Sequence, residues 1–413
     1  MDEHTNSGHK AFDSELIREA VALAETVQKK LHEIPEDSFK EEQTTAVIRE
    51  YCRLENVCPI ELSTKTGAAA YLAAGTGCTG TCLSAGTGRA ATVLLRADID
   101  AVPTPDGPRH LCGHDHHTAS LIGAMHYLAH RAEDLPVNVA FVFQPAEECT
   151  LGAKTVIEGG LLEALPQVMV ACFGIHNRPQ LPVGSIAVHS GPLMAAKTDY
   201  RVTFTGRSGH LGSPQHTIDP ILAGAAFVQA VQSIIPRNLD PMEPAVCGVY
   251  SFISGDSSND PPREAVLTGS FRSFDKEIHE TIRKRVEELA VKTAEAYRCG
   301  IKLDWLLEVP PIVNSFELYD TAVRAAKSVC GKENITDTKP TLASDDFAEF
   351  ASRMPGFYYW VGSGSAPWHD PAFAVGEGYQ AVAVPLLVET ILSYEEEGLA
   401  AGQIINYQAF CTS

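Results

Sequence analysis

Residues 109–120, RHLCGHDHHTAS, put four histidines, one cysteine and one aspartate into twelve positions. Thiolate, imidazole and carboxylate are the usual ligands of zinc, and imidazole with carboxylate also suits manganese, cobalt or nickel. A single loop cannot complete such a centre, so its partners lie elsewhere in the chain. The candidates are Cys112 and His114 in this loop, Glu148 after FVFQPAE, His176 after VMVACFGI, and His369 in PWHDP. Five protein ligands exceed one tetrahedral ion and suit two ions sharing a bridging water, an arrangement common in hydrolases. Glu147 beside Glu148 fits the same scheme. One carboxylate binds metal while its neighbour stays free as a general base.

The plainer readings set the limits. A lone histidine is usually a surface or satisfied core residue, so His189, His216 and His279 receive no role. His116 and His117 read as helix-start residues or as partners behind the ligands. A Glu–Glu pair is usually a solvated face; this one follows a buried apolar run directly, behind Pro145. The two-residue spacing of Cys112 from His114 favours a ligand over a structural thiol. Cys149 and Cys172 read as structural.

The elements that position these groups are legible as periodicities. Apolar runs at 92–100, 137–148 and 168–176 read as strands buried on both faces, each ending in an acid or a histidine. Helical segments at 116–132 and 151–164 lie between them. Leu16, Ala20, Leu23, Val27 and Leu31 mark an amphipathic helix over 14–33, stopped by Pro35, and a second helix covers 42–53. Strand–helix alternation predicts an α/β sheet covered by helices, with its chemistry at the carboxyl ends of the strands. Near residue 193 the pattern changes. Alternating strands at 199–206 and 247–255, further strands at 265–274 and 299–309, and helices at 219–235 and 276–297 predict a small antiparallel α+β unit. After 309 the α/β pattern returns, with a strand at 356–364 and a helix at 376–396. The parse is a catalytic domain in two parts, 1–192 and 309–413, interrupted by a smaller domain at 193–308. The G-x-G-x-x-G at 75–80 is set aside as a mobile hairpin tip, because the dinucleotide fingerprint requires a helix straight after the glycines.

Bulk properties exclude several classes. The 413 residues carry a formal charge of −20, which argues against nucleic acid and anionic membranes as partners. The N-terminus lacks the basic-then-apolar pattern of a secretory signal. No stretch approaches the roughly 18–20 apolar residues of a membrane span. Eleven cysteines without a regular framework predict a reducing, cytoplasmic setting.

Taken in order, LLRADIDAVP, HLCGHDHHTA, FVFQPAEE, FGIHNRP, GRSGHLGSPQHTIDP and PWHDPAF resemble the successive motifs of the M20 metallopeptidase family. The similarity spans about residues 30 to 390. It is strongest to the amidohydrolase branch: hippurate hydrolases, N-acyl-amino-acid aminoacylases and auxin-conjugate hydrolases. LHEIPEDSFKEEQT at 31–44 is similar to that branch's N-terminal signature. The resemblance implies a di-metal catalytic domain, its mostly parallel mixed sheet flanked by helices, with an inserted α+β lid used for homodimerisation. It implies two divalent ions, zinc or manganese with nickel or cobalt as alternatives, held by Cys112, His114, Glu148, His176 and His369. It assigns Glu147 as general base and His210 as oxyanion stabiliser, often supplied by a dimer mate. Asp98 and Asp115 are expected to orient imidazoles, and Asn259 and Arg272 to contact a substrate carboxylate. The substrate implied is a small N-acyl amino acid or conjugate.

This chain departs from the family pattern at its substrate walls. Only TPDGPR separates DAVP from HLCGHD, and CTLG replaces the usual glycine run after the glutamates. Gln215 stands where a histidine is common, and Asp260 and Pro261 replace apolar lid residues. Three alternatives stay open from sequence: a dipeptidase or aminopeptidase on the same scaffold, a cysteine hydrolase using Cys112 with His114, and a non-catalytic metal- or ligand-binding relative.

Overall fold

A computed structural model describes residues 13–75, 89–165, 168–255 and 260–395. Residues 1–12, most of the 75–80 glycine run, and Asn259 lie outside the described residues. Among the described residues the chain forms two compact units. The larger comprises 13–193, 313–339 and 345–395; the smaller comprises 194–312 and 340–344.

The larger unit opens with α1 (Ser14–His32), whose N-terminus is capped by the Asp13 carboxylate accepting from the Glu15 and Leu16 amides. Its buried stripe is Ala20, Ala24, Val27 and Leu31, the i, i+4, i+7 spacing of one helical face. Helix α2 (Glu42–Leu54) follows. The strands are β1 (Cys58–Ile60), β2 (Ala68–Leu72), β3 (Ala91–Asp98), β4 (Asn138–Gln144), β5 (Val168–Arg178) and β6 (Ile186–Ala187), followed by β7 (Gly191–Met194). The later ones are β12 (Ile312–Asn314), β13 (Ile335–Thr336) and β14 (Gly356–Gly362). Eight of them form one sheet in the order β1-β2-β4-β3-β5-β14-β6-β13. The four central strands, β4, β3, β5 and β14, are mutually parallel. β3, β4 and β14 are buried at every position, which is why their sequences read as unbroken apolar runs. Helices α3 (His114–His130), α4 (Gly152–Glu158), α5 (Leu161–Ala164), α9 (Tyr319–Cys330), α10 (Ala348–Ala351) and α11 (Gln380–Leu392) complete this unit.

The smaller unit carries β8 (Ala196–Thr205), β9 (Ala245–Ser254), β10 (Glu264–Ser273) and β11 (Gly300–Val309) in the antiparallel order β11-β8-β10-β9. β8 and β10 alternate between buried and less buried residues, as strands with one covered face do. Helices α6 (Pro220–Val231), α7 (Ile234–Asn238) and α8 (Lys276–Tyr297) belong here. Tyr200, Val202, Phe204, Phe227, Phe271, Ile282 and Val286 form its core.

Several element boundaries differ from the sequence reading, among them the helix expected over 219–235, which is α6 and α7, and the helix expected over 376–396, which runs from Gln380 to Leu392. The helix expected over 151–164 is two pieces, because Gly160 takes a left-handed backbone with φ +94°. The strand expected over 137–148 ends at Gln144, where Pro145 has no amide to donate. The helix expected from 116 begins at His114. No described helix is long and apolar enough to cross a membrane.

Candidate metal centre

β3, β4 and β5 run side by side in the same direction, and their carboxyl ends deliver Asp98 to Asp100, Glu147 with Glu148, and His176. α3 starts at the same edge, with His114 as its first residue. Gly113 before it has φ +87°, and a Cβ there would sit 2.5 Å from Asn177 Nδ2. Only glycine lets the loop turn this tightly into the helix.

His114 sits at the middle of the site. Its Nδ1 donates to the Asp100 carbonyl at 3.0 Å and lies 3.3 Å from Asp100 Oδ1, so Nε2 points the other way. Nε2 faces Glu147 Oε2 and Glu148 Oε1, each at 3.7 Å, and Asp98 Oδ2 at 3.8 Å. Glu148 Oε2 is 3.5 Å from His369 Nε2. Cys112 Sγ is 3.6 Å from His176 Nε2. Donor atoms of Cys112, His114 and Glu148 lie within 4.8 Å of one another, and so do those of Asp98, His114, His117 and His176. The structure therefore gathers Cys112, His114, Glu148, His176 and His369 into one cluster, with Glu147 beside it.

The backbone carrying the glutamates is unusual. Ala146 has φ +58° and Thr150 φ +55°, bracketing the pair. The Asp100 carboxylate accepts from the Glu147 and Glu148 amides, both at 3.0 Å, and from Ser38 Oγ at 2.6 Å. His369 also has a positive φ, +65°, and its amide donates to the Leu111 carbonyl at 2.9 Å. That bond joins the late histidine to the loop bearing Cys112.

Behind the cluster lies a fully buried charge network. Arg96 reaches Asp98 at 2.8 Å and Asp345 and Asp346 at 3.1 Å each. Tyr358 Oη donates to Asp345 at 2.5 Å. The carboxylates of Glu147, Asp345 and Asp346 converge within 4.8 Å.

The residues present fit a divalent cation. Two buried polar atoms facing the cluster, His114 Nε2 and Glu148 Oε1, have no hydrogen-bond partner among the described residues. Burial raises the Glu147 carboxyl well above the usual range, with Asp345 and Glu148 adding to it. Burial lifts Glu148 to about 7 against the pull of His114, and it raises the Cys112 thiol, aided by Glu148. Burial opposes protonation of His114, yet Asp98 and Cys112 overcome it and raise that imidazole. His176 is lowered by burial and by His117. Anionic donors crowded into a dry pocket call for a positive ion to let them ionise.

Two expectations are sharpened here. His117 belongs to the cluster by distance, but its Nδ1 donates to Asp98 at 2.7 Å and its Nε2 accepts from the Asn177 amide at 3.1 Å. Both ring nitrogens are used, so it braces the site from behind. Asp115 does not face the centre's imidazoles. It accepts from His32 Nδ1 at 2.7 Å and Gln28 Nε2 at 2.8 Å, because one residue along a helix rotates the side chain by about 100°, away from His114. Asp100 occupies the orienting position instead.

In the smaller unit, His210 is exposed, and its Nδ1 accepts from the Gly212 amide at 3.0 Å. Arg272 Nη1 donates to the Leu342 carbonyl at 2.7 Å. Sequence reasoning missed Arg178. Its guanidinium lies 4.8 Å from the Trp360 ring and 5.3 Å from the Trp368 ring, and both rings also meet His176 edge-on. Its place in HNRP, two positions after His176 on the same strand, was the available signal.

Residues 94–392 match the sequence pattern of peptidase family M20/M25/M40. The chain belongs to that family. It is 33% identical to the N-acetylcysteine deacetylase of Bacillus subtilis over 393 residues, covering 92% of this chain and 97% of the relative. It is 32% identical to an IAA-amino acid hydrolase of Arabidopsis thaliana over 372 residues, 85% of this chain and 81% of the relative. Among solved structures, a Bacillus subtilis dinuclear metal binding peptidase of the M20 family superposes with a TM-score of 0.74 at 30% identity, covering 91% of this chain and 98% of that one. The large mixed sheet with a separate small sheet is thus the M20 fold.

Proposed function

We propose that this M20-family chain hydrolyses the amide bond of an N-acyl amino acid or related conjugate, releasing a carboxylic acid and an amino acid. One observation carries the reading. Buried His114 Nε2, without a hydrogen-bond partner among the described residues, faces both carboxylates of the Glu147–Glu148 pair, each at 3.7 Å. The names of the relatives, which describe deacetylation of N-acetylcysteine and hydrolysis of IAA-amino acids, support the substrate class.

In this reading Cys112, His114, Glu148, His176 and His369 hold two divalent ions. When bound, such ions polarise the scissile carbonyl and make water acidic. Glu147 takes the proton from the attacking water and returns it to the leaving nitrogen. Asp100 holds the backbone of both glutamates, which keeps base and ligand at a constant separation. On His210 the Gly212 amide occupies Nδ1, so the proton sits on Nε2, a donor suited to a developing oxyanion. The thiolate of Cys112 favours zinc among the metals named above. A reducing, cytoplasmic setting, read from the eleven scattered cysteines of the sequence, belongs to this proposal. The 193–308 segment is read as the lid and dimerisation domain, with Arg272 as a contact for the substrate carboxylate.

The deciding experiment compares Glu147→Ala with Glu148→Ala on a panel of N-acyl amino acids. Glu147→Ala keeps its metal and loses roughly 10²–10⁴-fold in turnover. Glu148→Ala loses metal, measured by elemental analysis. A Glu147→Ala enzyme at near wild-type rate refutes the reading.

A further inference from the structure

α3 has a second set of metal-type donors at its other end. His126 and His130 are four residues apart, which puts both rings on one side of the helix, with centroids 4.5 Å apart. Glu55, the C-cap of α2, meets them. Its Oε1 lies 2.9 Å from His126 Nδ1 and its Oε2 3.7 Å from His130 Nδ1. One donor atom from each of the three lies within 4.8 Å of the other two.

Proton placement leaves the rings open to an ion. His130 Nδ1 donates to the His126 carbonyl at 2.9 Å, and His126 Nδ1 donates to Glu55 at 2.9 Å. In the neutral rings each Nε2 then carries the lone pair; Glu55 favours a proton on His126, which a bound ion displaces. A carboxylate behind an imidazole is the arrangement that orients metal-ligating histidines and raises their basicity. The Glu55 side chain is only 9% exposed, and the ion pairs recorded for it among the described residues are both to imidazoles. His126 and His130 are 17% and 53% exposed, so solvent can deliver an ion. Glu19 on α1 adds negative charge at His126. At about 1.5 Å per helical residue, His126 stands some 18 Å along α3 from His114, so this cluster is separate from the first.

We propose that Glu55, His126 and His130 form an additional site for a divalent transition metal of the zinc, nickel or copper class, clamping the end of α2 to the end of α3. Two imidazole nitrogens with a supporting carboxylate are the donor chemistry those ions select. Water completes the coordination.

The test uses full-length enzyme stripped by chelation and titrated calorimetrically with Zn²⁺. Wild type binds one equivalent more than a His126→Gln/His130→Gln variant. Glu55→Gln weakens that extra equivalent about tenfold. Because the His114 cluster is intact in all of them, the difference isolates this site, and hydrolysis by metal-loaded enzyme stays unchanged. His130→Gln alone, at a half-exposed position, repeats the measurement with little demand on folding. Equal stoichiometry in wild type and variants overturns the proposal, leaving an imidazole–carboxylate ion pair only. Loss of amide hydrolysis in every form, with the extra equivalent retained, would sink the proposed function and leave this site standing.

Discussion

Asp100 binds more of the candidate centre together than any ligand does. One carboxylate receives two consecutive backbone amides and a serine hydroxyl, and its residue also fixes the His114 tautomer. Asp100→Asn keeps the shape but presents an amide hydrogen toward donors. Metal affinity should fall about 10–100-fold, measured by competition with a chromophoric chelator, while the fold is retained. An unchanged affinity would show that the backbone holds itself. At this scale the sequence names the chemistry without the partners. Asp98 and Asp100 both stand where an apolar run ends, and alternation cannot say which faces the imidazole once β3 has stopped at Asp98. Arg96 is less legible still. It sits inside an apolar run, and its partner Asp346 is 250 positions away, so nothing local marks it as buried.

Two elements carry consequences of their own. α3 begins where Gly113 allows, so Gly113→Ala must take up a left-handed backbone and displace Asn177, which also bonds the Cys112 carbonyl and His117. A loss of roughly 1–3 kcal/mol is expected, visible in thermal unfolding together with weakened metal binding. In the smaller unit, α8 buries His279 against the sheet, bonded to Thr198 Oγ1 at 2.8 Å and Ser273 Oγ at 2.9 Å. Burial lowers this imidazole to about 4, with Arg283 adding and Glu308 opposing. The unfolded chain has a histidine near 6.5. Above that value both states are neutral and the group contributes nothing to the pH dependence. Below it the unfolded state takes up the proton first, so stability falls between about pH 6.5 and 4, by at most roughly 3 kcal/mol. Denaturant melts at pH 7.5 and 4.5 measure the slope, and His279→Gln should reduce it. An equal slope in both proteins would remove His279 from the account. Periodicity found α8 with both its ends, but it joined α4 to α5, since nothing local shows that Gly160 turns left-handed.

For the whole molecule, the contrast between continuous and alternating apolar patterns is what made two kinds of sheet legible. β3 is buried throughout while β8 alternates. The proposed dimer draws on the same unit. β9 is an edge strand on which Tyr250 and Ile253 are 65% and 68% exposed, and an uncovered apolar edge invites pairing. Light scattering on wild type should give twice the chain mass, and Ile253→Lys should shift it toward one. A monomeric wild type would end that proposal.

The left-handed turn at Ala146 has a consequence for how the enzyme would evolve. Glycine adopts that backbone freely, yet here a residue with a Cβ is held in it immediately ahead of the two glutamates. Strain of order 1 kcal/mol is stored there, and in exchange the peptide has fewer ways to swivel. Ala146→Gly should therefore fold at least as well and react more slowly, with kcat falling while KM stays put. Relaxing this bend would trade aim for comfort.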